Sequence, residues 1–353
     1  MIRLALFSVA LLASCGEATE TGDPSVVVDL PWPVTEFPED PPSMRGVPDA
    51  RVELGRLLFY ETLLSGDRQT ACATCHSEIW GMSDALQRSV GLGAGLLAGP
   101  GRTGPNVMRR NASTLYNLAF RESLFQDGRT ETLEEQALIP MFEADEMDRD
   151  PEEAVAEMAT IAEYVQRFAD AFPEDPTVSV ENMASALAAF QRTMISKRAL
   201  YDSYVQGDLG ALTDEVVEGM FRFAEMGCDE CHTPPLFESE RFENRGVPEL
   251  EGVVDDGLME VTGLEGDRGK FRVATLRNVA FTNPYFHNGS VGKLEDAVRH
   301  ELERSGMPFS DEDVRLIKLF IDKALRDESR EPARPLALPS GLPVPLDGTA
   351  IIR

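Results

Sequence analysis

Apolar residues recur at intervals of three and four along much of the chain, the spacing of helices that bury one face. "ARVELGRLLFYETLLS" shows it from residue 50, with Asp49 as the expected N-cap. In "PEEAVAEMATIAEYVQRFADAF" the same spacing puts Val155, Met158, Ile161, Ala162, Val165, Phe168 and Phe172 on one face. "ENMASALAAFQRTMIS" predicts a further helix, Thr213 opens one through "DEVVEGMFRFAEMG", and Ser310 with Asp313 forms a capping box for "DVRLIKLFIDKAL". Three stretches break the pattern. Residues 16–45 are rich in proline, acid and small residues and read as a tether or extended strap. "VGLGAGLLAGPGRTGP" reads as a mobile glycine-rich loop, since no GKS or GKT follows it. The tail from residue 332 is proline-rich and is expected to wrap the surface in extended form. A helix running into a pair of cysteines occurs twice, which predicts two domains, 46–205 and 206–331, joined near residue 205.

A length of 353 residues suits about two domains. With 42% hydrophobic and 27% charged residues, the chain is neither disordered throughout nor a multi-span membrane protein. A formal charge of −28 argues against nucleic acid as a partner and predicts a solvated acidic surface. The opening "MIRLALFSVALLASC" has one arginine and then an apolar run too short to span a bilayer, the pattern of an export signal. Its end, Leu12-Ala13-Ser14-Cys15, resembles the lipobox of bacterial lipoproteins. That resemblance implies a lipid anchor on Cys15, the only membrane contact expected, at the periplasmic side of a bacterial membrane.

The remaining four cysteines fall in "CATCH" and "CDECH". A histidine directly after C-x-x-C is the c-type haem attachment pattern. Two thioethers hold the macrocycle edge while the adjacent imidazole reaches the iron, so five residues fix the cofactor and one axial ligand. Zinc would need a second thiol pair or a His-x3-5-His nearby, and neither half has one. Two covalently bound haems are therefore expected, on Cys72, Cys75 and His76 and on Cys228, Cys231 and His232. Only His287 and His300 remain, so at least one iron is expected to be open or to take an unusual sixth ligand.

From about residue 46 to 345 the chain resembles the bacterial dihaem cytochrome c peroxidase and MauG family. The resemblance rests on "LGRLLFYETLLSGDRQTACATCH", "RRNASTLYNLAF", "QDGRTETLEEQALIPMFEADEM", "GCDECH" and "FRVATLRNVAFTNPYFHNGSVGKLEDAV". "LPWPVTEFPEDPPS" and "LPSGLPVP" look most similar to its MauG-like branch, including the dihaem enzymes of methanobactin operons. The family implies an all-α fold of two cytochrome c-like domains. It implies peroxide chemistry at the His76 haem, with Gln136, Pro140 and Glu146 in the distal pocket and Glu146 as proton shuttle, while the His232 haem passes electrons. It also implies a calcium ion between the haems, at Asn111, Thr282 and Pro284. His287 reads as structural.

Three departures from the family matter. No histidine lies between His76 and Asn111, so none from that loop can block the first iron, which is expected to be ready for peroxide. The sixth-ligand position of the second haem, methionine or tyrosine in the family, is Glu301. Periodicity puts Glu301 on a face with Leu294, Ala297 and Val298, and His300 about 100° away; His300 and Met307 remain alternative ligands. The tryptophan the family places before "DGR" is Gln126, which cannot relay charge between the haems. The expected activity is reduction of hydrogen peroxide with electrons from a small cytochrome or cupredoxin. The alternatives are MauG-like oxidation of residues on a partner protein and plain electron transfer.

Overall fold

The computed structural model describes residues 28–39, 41–329 and 332–347, so the expected signal segment and Cys15 lie outside the described residues. Helices dominate: α1 (Asp49–Phe59), α2 (Cys72–Cys75), α3 (Leu133–Phe142), α4 (Pro151–Met158), α5 (Ala162–Ala171), α6 (Val180–Gln191), α7 (Leu200–Val205), α8 (Asp214–Glu225), α9 (Met259–Thr262), α10 (Leu294–Ser305) and α11 (Asp311–Ala324). The strands are two-residue pairs, β1 (Leu97–Ala98) parallel to β4 (Leu346–Asp347) and β2 (Phe242–Glu243) antiparallel to β3 (Phe271–Arg272). The all-α expectation holds. Among the described residues no helix is long and apolar enough to cross a membrane.

Side-chain caps fix where helices begin. Thr132, Ser179 and Thr213 each accept a backbone N–H three residues on, and Ser310 with Asp313 forms the expected capping box. Asp49 is instead the first residue of α1, and extended Pro48 stands at its cap. The pattern over 151–172 belongs to two helices rather than one. Ile161 is extended between them and resets the helical phase, so Tyr164 is buried while Val165 is 42% exposed.

Two hydrophobic clusters form. One gathers α1 and α3 to α6, and the other gathers α7, α8, α10 and α11. Each contains a helix crossing that only glycine permits. A Cβ on Gly55 of α1 would lie 1.9 Å from the carbonyl oxygen of Ala186 on α6, and one on Gly219 of α8 would lie 2.2 Å from that of Leu316 on α11. Both crossings hold the helix that leads into a cysteine pair.

The flanking segments join these clusters. Trp32, in the strap, is buried in the second; its indole N–H donates to the Tyr201 hydroxyl at 3.0 Å, and it packs on Phe223, Phe237 and Phe320. The tail does more than wrap the surface: Leu338 is buried in the first cluster, and Ser340 Oγ donates to buried Glu61 at 2.9 Å. The glycine-rich stretch is not a free loop either, because it is organised around Arg102, which is 2% exposed. Ion pairs join early and late segments: Arg121 donates to Glu238 at 2.7 Å, and Arg110 reaches Asp127 at 2.6 Å and Asp255 at 2.7 Å.

Candidate haem sites

The two cysteine pairs are built alike. The backbone N–H of His76 donates to the Cys72 carbonyl at 2.9 Å, and that of His232 donates to the Cys228 carbonyl at the same distance. Each turn thus sets both thiols and the imidazole on one short loop. All four cysteines are free. Burial pushes the Cys72, Cys75 and Cys228 thiols up to about 12, so without a bound group they are protonated. Among the described residues no group of three His, Cys, Asp or Glu side chains could hold a metal ion by itself. Unpaired thiols suit thioether attachment, and among the described residues no third ligand stands with either pair to complete a zinc site.

The imidazoles are equally specific. His76 Nδ1 lies 2.9 Å from the Met82 carbonyl, and His232 Nδ1 lies 3.0 Å from that of Ala274 and 3.3 Å from that of Phe237. Carbonyls only accept, so Nδ1 carries the proton and Nε2 keeps the lone pair an iron requires. Burial lowers the pKa of both rings, that of His232 to about 4, which keeps them neutral. Both sites therefore fit a haem iron ligated through Nε2.

A duplication runs through the supporting structure. "TLYNLAF" (114–120) is matched by "TLRNVAF" (275–281), and Asn117 and Asn278 both adopt left-handed backbone, with φ of 64° and 62°. Leu124 bridges to Thr130 as Tyr285 does to Val291. Leu133 opens α3 at the same distance from Thr114 as Leu294, which opens α10, lies from Thr275. In this register α3 matches α10, and Pro140 matches Glu301. The repeat is readable in the bare sequence and assigns the two helices equivalent places.

The capped N-terminus of α3 positions Gln136 and Pro140 four residues apart, on one face. Gln136 Oε1 is buried without a partner. Glu146 sits in the turn after α3, where its N–H donates to the Glu143 carbonyl at 3.0 Å. Burial pushes its carboxyl up to about 7, Arg129 opposing and Glu143 reinforcing. Its charge acts on the Cys72 and Cys75 thiols, so the fold brings it beside the first pair.

At the second pair, Arg245 Nε donates to Glu301 Oε2 at 2.7 Å. The face shared with Ala297 and Val298 does not bury the Glu301 carboxylate, which is 34% exposed and pairs with Arg245. Glu301 and Arg245 both act on the Cys228 thiol, and Arg245 also acts on Cys231 and His232. His300 Nε2 donates to the Arg245 carbonyl at 2.9 Å, and Met307 is 38% exposed beyond α10. Sequence reasoning missed Arg245, which lies on an irregular segment 56 residues before its partner.

The Asn111 N–H donates to the His287 carbonyl at 2.8 Å, and its side-chain amide donates to the Leu86 carbonyl at 2.7 Å. Asn111 is thereby tied to the loop that carries Thr282 and Pro284. His287 stacks on Phe271, with centroids 3.7 Å apart. Gln126 Nε2 donates to the Asn111 carbonyl at 3.0 Å and to Ser113 Oγ at 2.8 Å, while its Oε1 is buried and unpartnered.

A family profile described as di-haem cytochrome c peroxidase matches residues 49–210. The chain is 35% identical over 270 residues to a cytochrome c551 peroxidase of Pseudomonas aeruginosa, covering 74% of this chain and 75% of that one. It is 31% identical over 299 residues to the methylamine utilization protein MauG of Methylorubrum extorquens, covering 83% and 81%. Among solved structures it is similar to a MauG-like protein associated with microbial copper homeostasis, with 28% identity, a TM-score of 0.71, and 85% of this chain and 96% of that one covered. With two haem-binding turns on a fold shared with these proteins, the chain belongs to the dihaem cytochrome c peroxidase and MauG family, as an oxidoreductase with two haems.

Proposed function

We propose that this protein reduces hydrogen peroxide to water at the haem held by Cys72, Cys75 and His76, using electrons passed through the haem held by Cys228, Cys231 and His232. The observation that carries the reading is Glu146, a carboxyl group titrating near neutrality beside the first cysteine pair. Held by Cys72, Cys75 and His76, haem would supply the redox-active iron and the electrons of the reduction. The Glu146 carboxylate takes a proton from the peroxide and returns it to the departing oxygen, which leaves as water, while the second oxygen leaves as water with two protons from solvent and the two electrons passed through the second haem. Gln136 Oε1, buried and unpartnered, accepts a hydrogen bond from the same substrate. Pro140 carries no polar side-chain group and leaves the space open, where its counterpart Glu301 presents a carboxylate at the second haem.

Residues 46–205 and 206–331 act as the two haem domains on this reading; the two hydrophobic clusters support a division into two, although α7 packs in the second cluster and so moves the boundary to before Leu200. Oxygens of Asn111, Thr282 and Pro284 hold a calcium ion, a donor set that suits a hard cation. Cys15 anchors the protein by lipid on the periplasmic side, and a small periplasmic cytochrome or cupredoxin donates the electrons. Holoprotein from a cytochrome-maturing host should carry the mass of two haems, and peroxide should alter its haem absorbance on mixing. An unchanged absorbance would identify a plain electron carrier and end the proposal.

Glu301 is the proposed sixth ligand of the second haem, held by Arg245. Exchanging Arg245 for Gln or Glu301 for Gln should each change the low-temperature spin-resonance signal of that haem. If both variants kept the parent signal, ligation by Glu301 would be ruled out and His300 and Met307 would be next.

A further inference from the structure

The geometry points to Arg102 as a positioning residue for Glu146, acting by knotting residues 90–104 into a fixed wall against the turn that carries that carboxylate. It rests on the assignment of Glu146 as proton carrier. Arg102 is 2% exposed and has no carboxylate among its hydrogen-bond partners. A guanidinium has five N–H donors, and here all are spent on neutral oxygens. Nε donates to the Val90 carbonyl at 2.6 Å, Nη1 to the carbonyls of Gly95 and Leu97, and Nη2 to the Gly91 carbonyl at 2.9 Å and to Thr70 Oγ1 at 3.3 Å. The loop closes around the one side chain able to satisfy so many of its carbonyls.

The wall meets the Glu146 turn by backbone contact. Leu92 N–H donates to the Asp145 carbonyl at 3.2 Å. A Cβ on Gly91 would lie 2.0 Å from that carbonyl oxygen and 2.8 Å from the Glu146 Cα. The residue whose carbonyl Arg102 grips is thus the residue pressed against Glu146. From outside, β4 pairs with β1, and Leu346 N–H donates to the Leu96 carbonyl at 2.8 Å, so the knot is held on both sides. Burial lowers the Arg102 pKa, the charges of Asp67 and Asp84 opposing it from nearby, while every hydrogen bond of the guanidinium goes to a neutral oxygen of the knot.

The test uses full-length holoprotein carrying Arg102→Met or the milder Arg102→Lys, with backbone hydrogen exchange and the pH dependence of the peroxide reaction as readouts. Arg102→Met should lose protection both at 90–98 and at 143–148. It should slow the peroxide reaction on the order of a hundredfold through misplacement alone, and the midpoint of the rise in rate with pH should move down toward the ordinary carboxylate range. In a Glu146→Gln background the same exchange should change the rate little. Arg102→Lys, with three donors, should shift each readout the same way by less, and it carries the test alone if Arg102→Met yields no holoprotein. Loss of protection confined to 90–98, with rate and pH midpoint unmoved, would overturn the assignment. Failure of the Glu146 reading would look different: Glu146→Gln would itself keep the parent rate.

Discussion

Glu146→Gln should slow the reaction with peroxide by roughly a hundredfold to ten-thousandfold, the range supplied by a positioned acid–base group. The amide keeps the shape of the side chain and cannot take a proton. In the parent protein the rate should rise with pH through about 7, where Glu146 loses its proton. The variant should lack that rise. Stability should respond in the opposite sense. Because burial raises this carboxyl above its unfolded value, its penalty grows as pH rises from the ordinary carboxylate range and is complete above about 7. Glu146→Gln should therefore be at least as stable as the parent at pH 8. Stopped-flow mixing across the pH range, with urea unfolding at pH 8, separates the chemistry from the fold. Equal rates and a retained pH profile would remove Glu146 from the mechanism.

Arg277→Met should be strongly destabilising, at a side chain that also braces the segment following the second haem turn. Arg277 is fully buried, and its Nη1 and Nη2 donate to the two oxygens of Asp202 at 2.8 and 2.6 Å, while Nε donates to the Pro235 carbonyl at 2.7 Å. Asp202 in turn accepts the Ala199 N–H at the start of α7. Removing the guanidinium leaves a desolvated carboxylate and an unpaired carbonyl, a loss of about 3–5 kcal/mol. Domains are stable by only about 5–15 kcal/mol in total. Adding Asp202→Asn should recover part of the loss by removing the stranded charge. Urea midpoints of the single and double variants measure this, and a loss below about 1 kcal/mol, ordinary for a mutation without a buried pair, would show that water reaches Asp202.

What was legible in the sequence is what short-range chemistry fixes. C-x-x-C-H states its cofactor in five residues, and Thr213 and Ser310 announce helix starts within one turn. Glu146 was singled out by the family's spacing in "EQALIPMFEADEM", and in the fold its charge acts on the first cysteine pair. The misses share a different cause. Arg245 meets Glu301, and Arg102 satisfies carbonyls of a loop it also belongs to, through contacts no local pattern records. The helix over 151–172 divides because extended Ile161 shifts the register, and apolar spacing alone reads straight through such a break. The repeat linking α3 with α10 was available and would have paired Pro140 with Glu301 before any coordinates.

Leu338, Ser340 and β4 close over a cluster assembled from residues that precede them by more than a hundred positions. The first cluster is therefore sealed by a segment synthesised only after the residues of the second cluster, so its last contacts form late in the life of the chain.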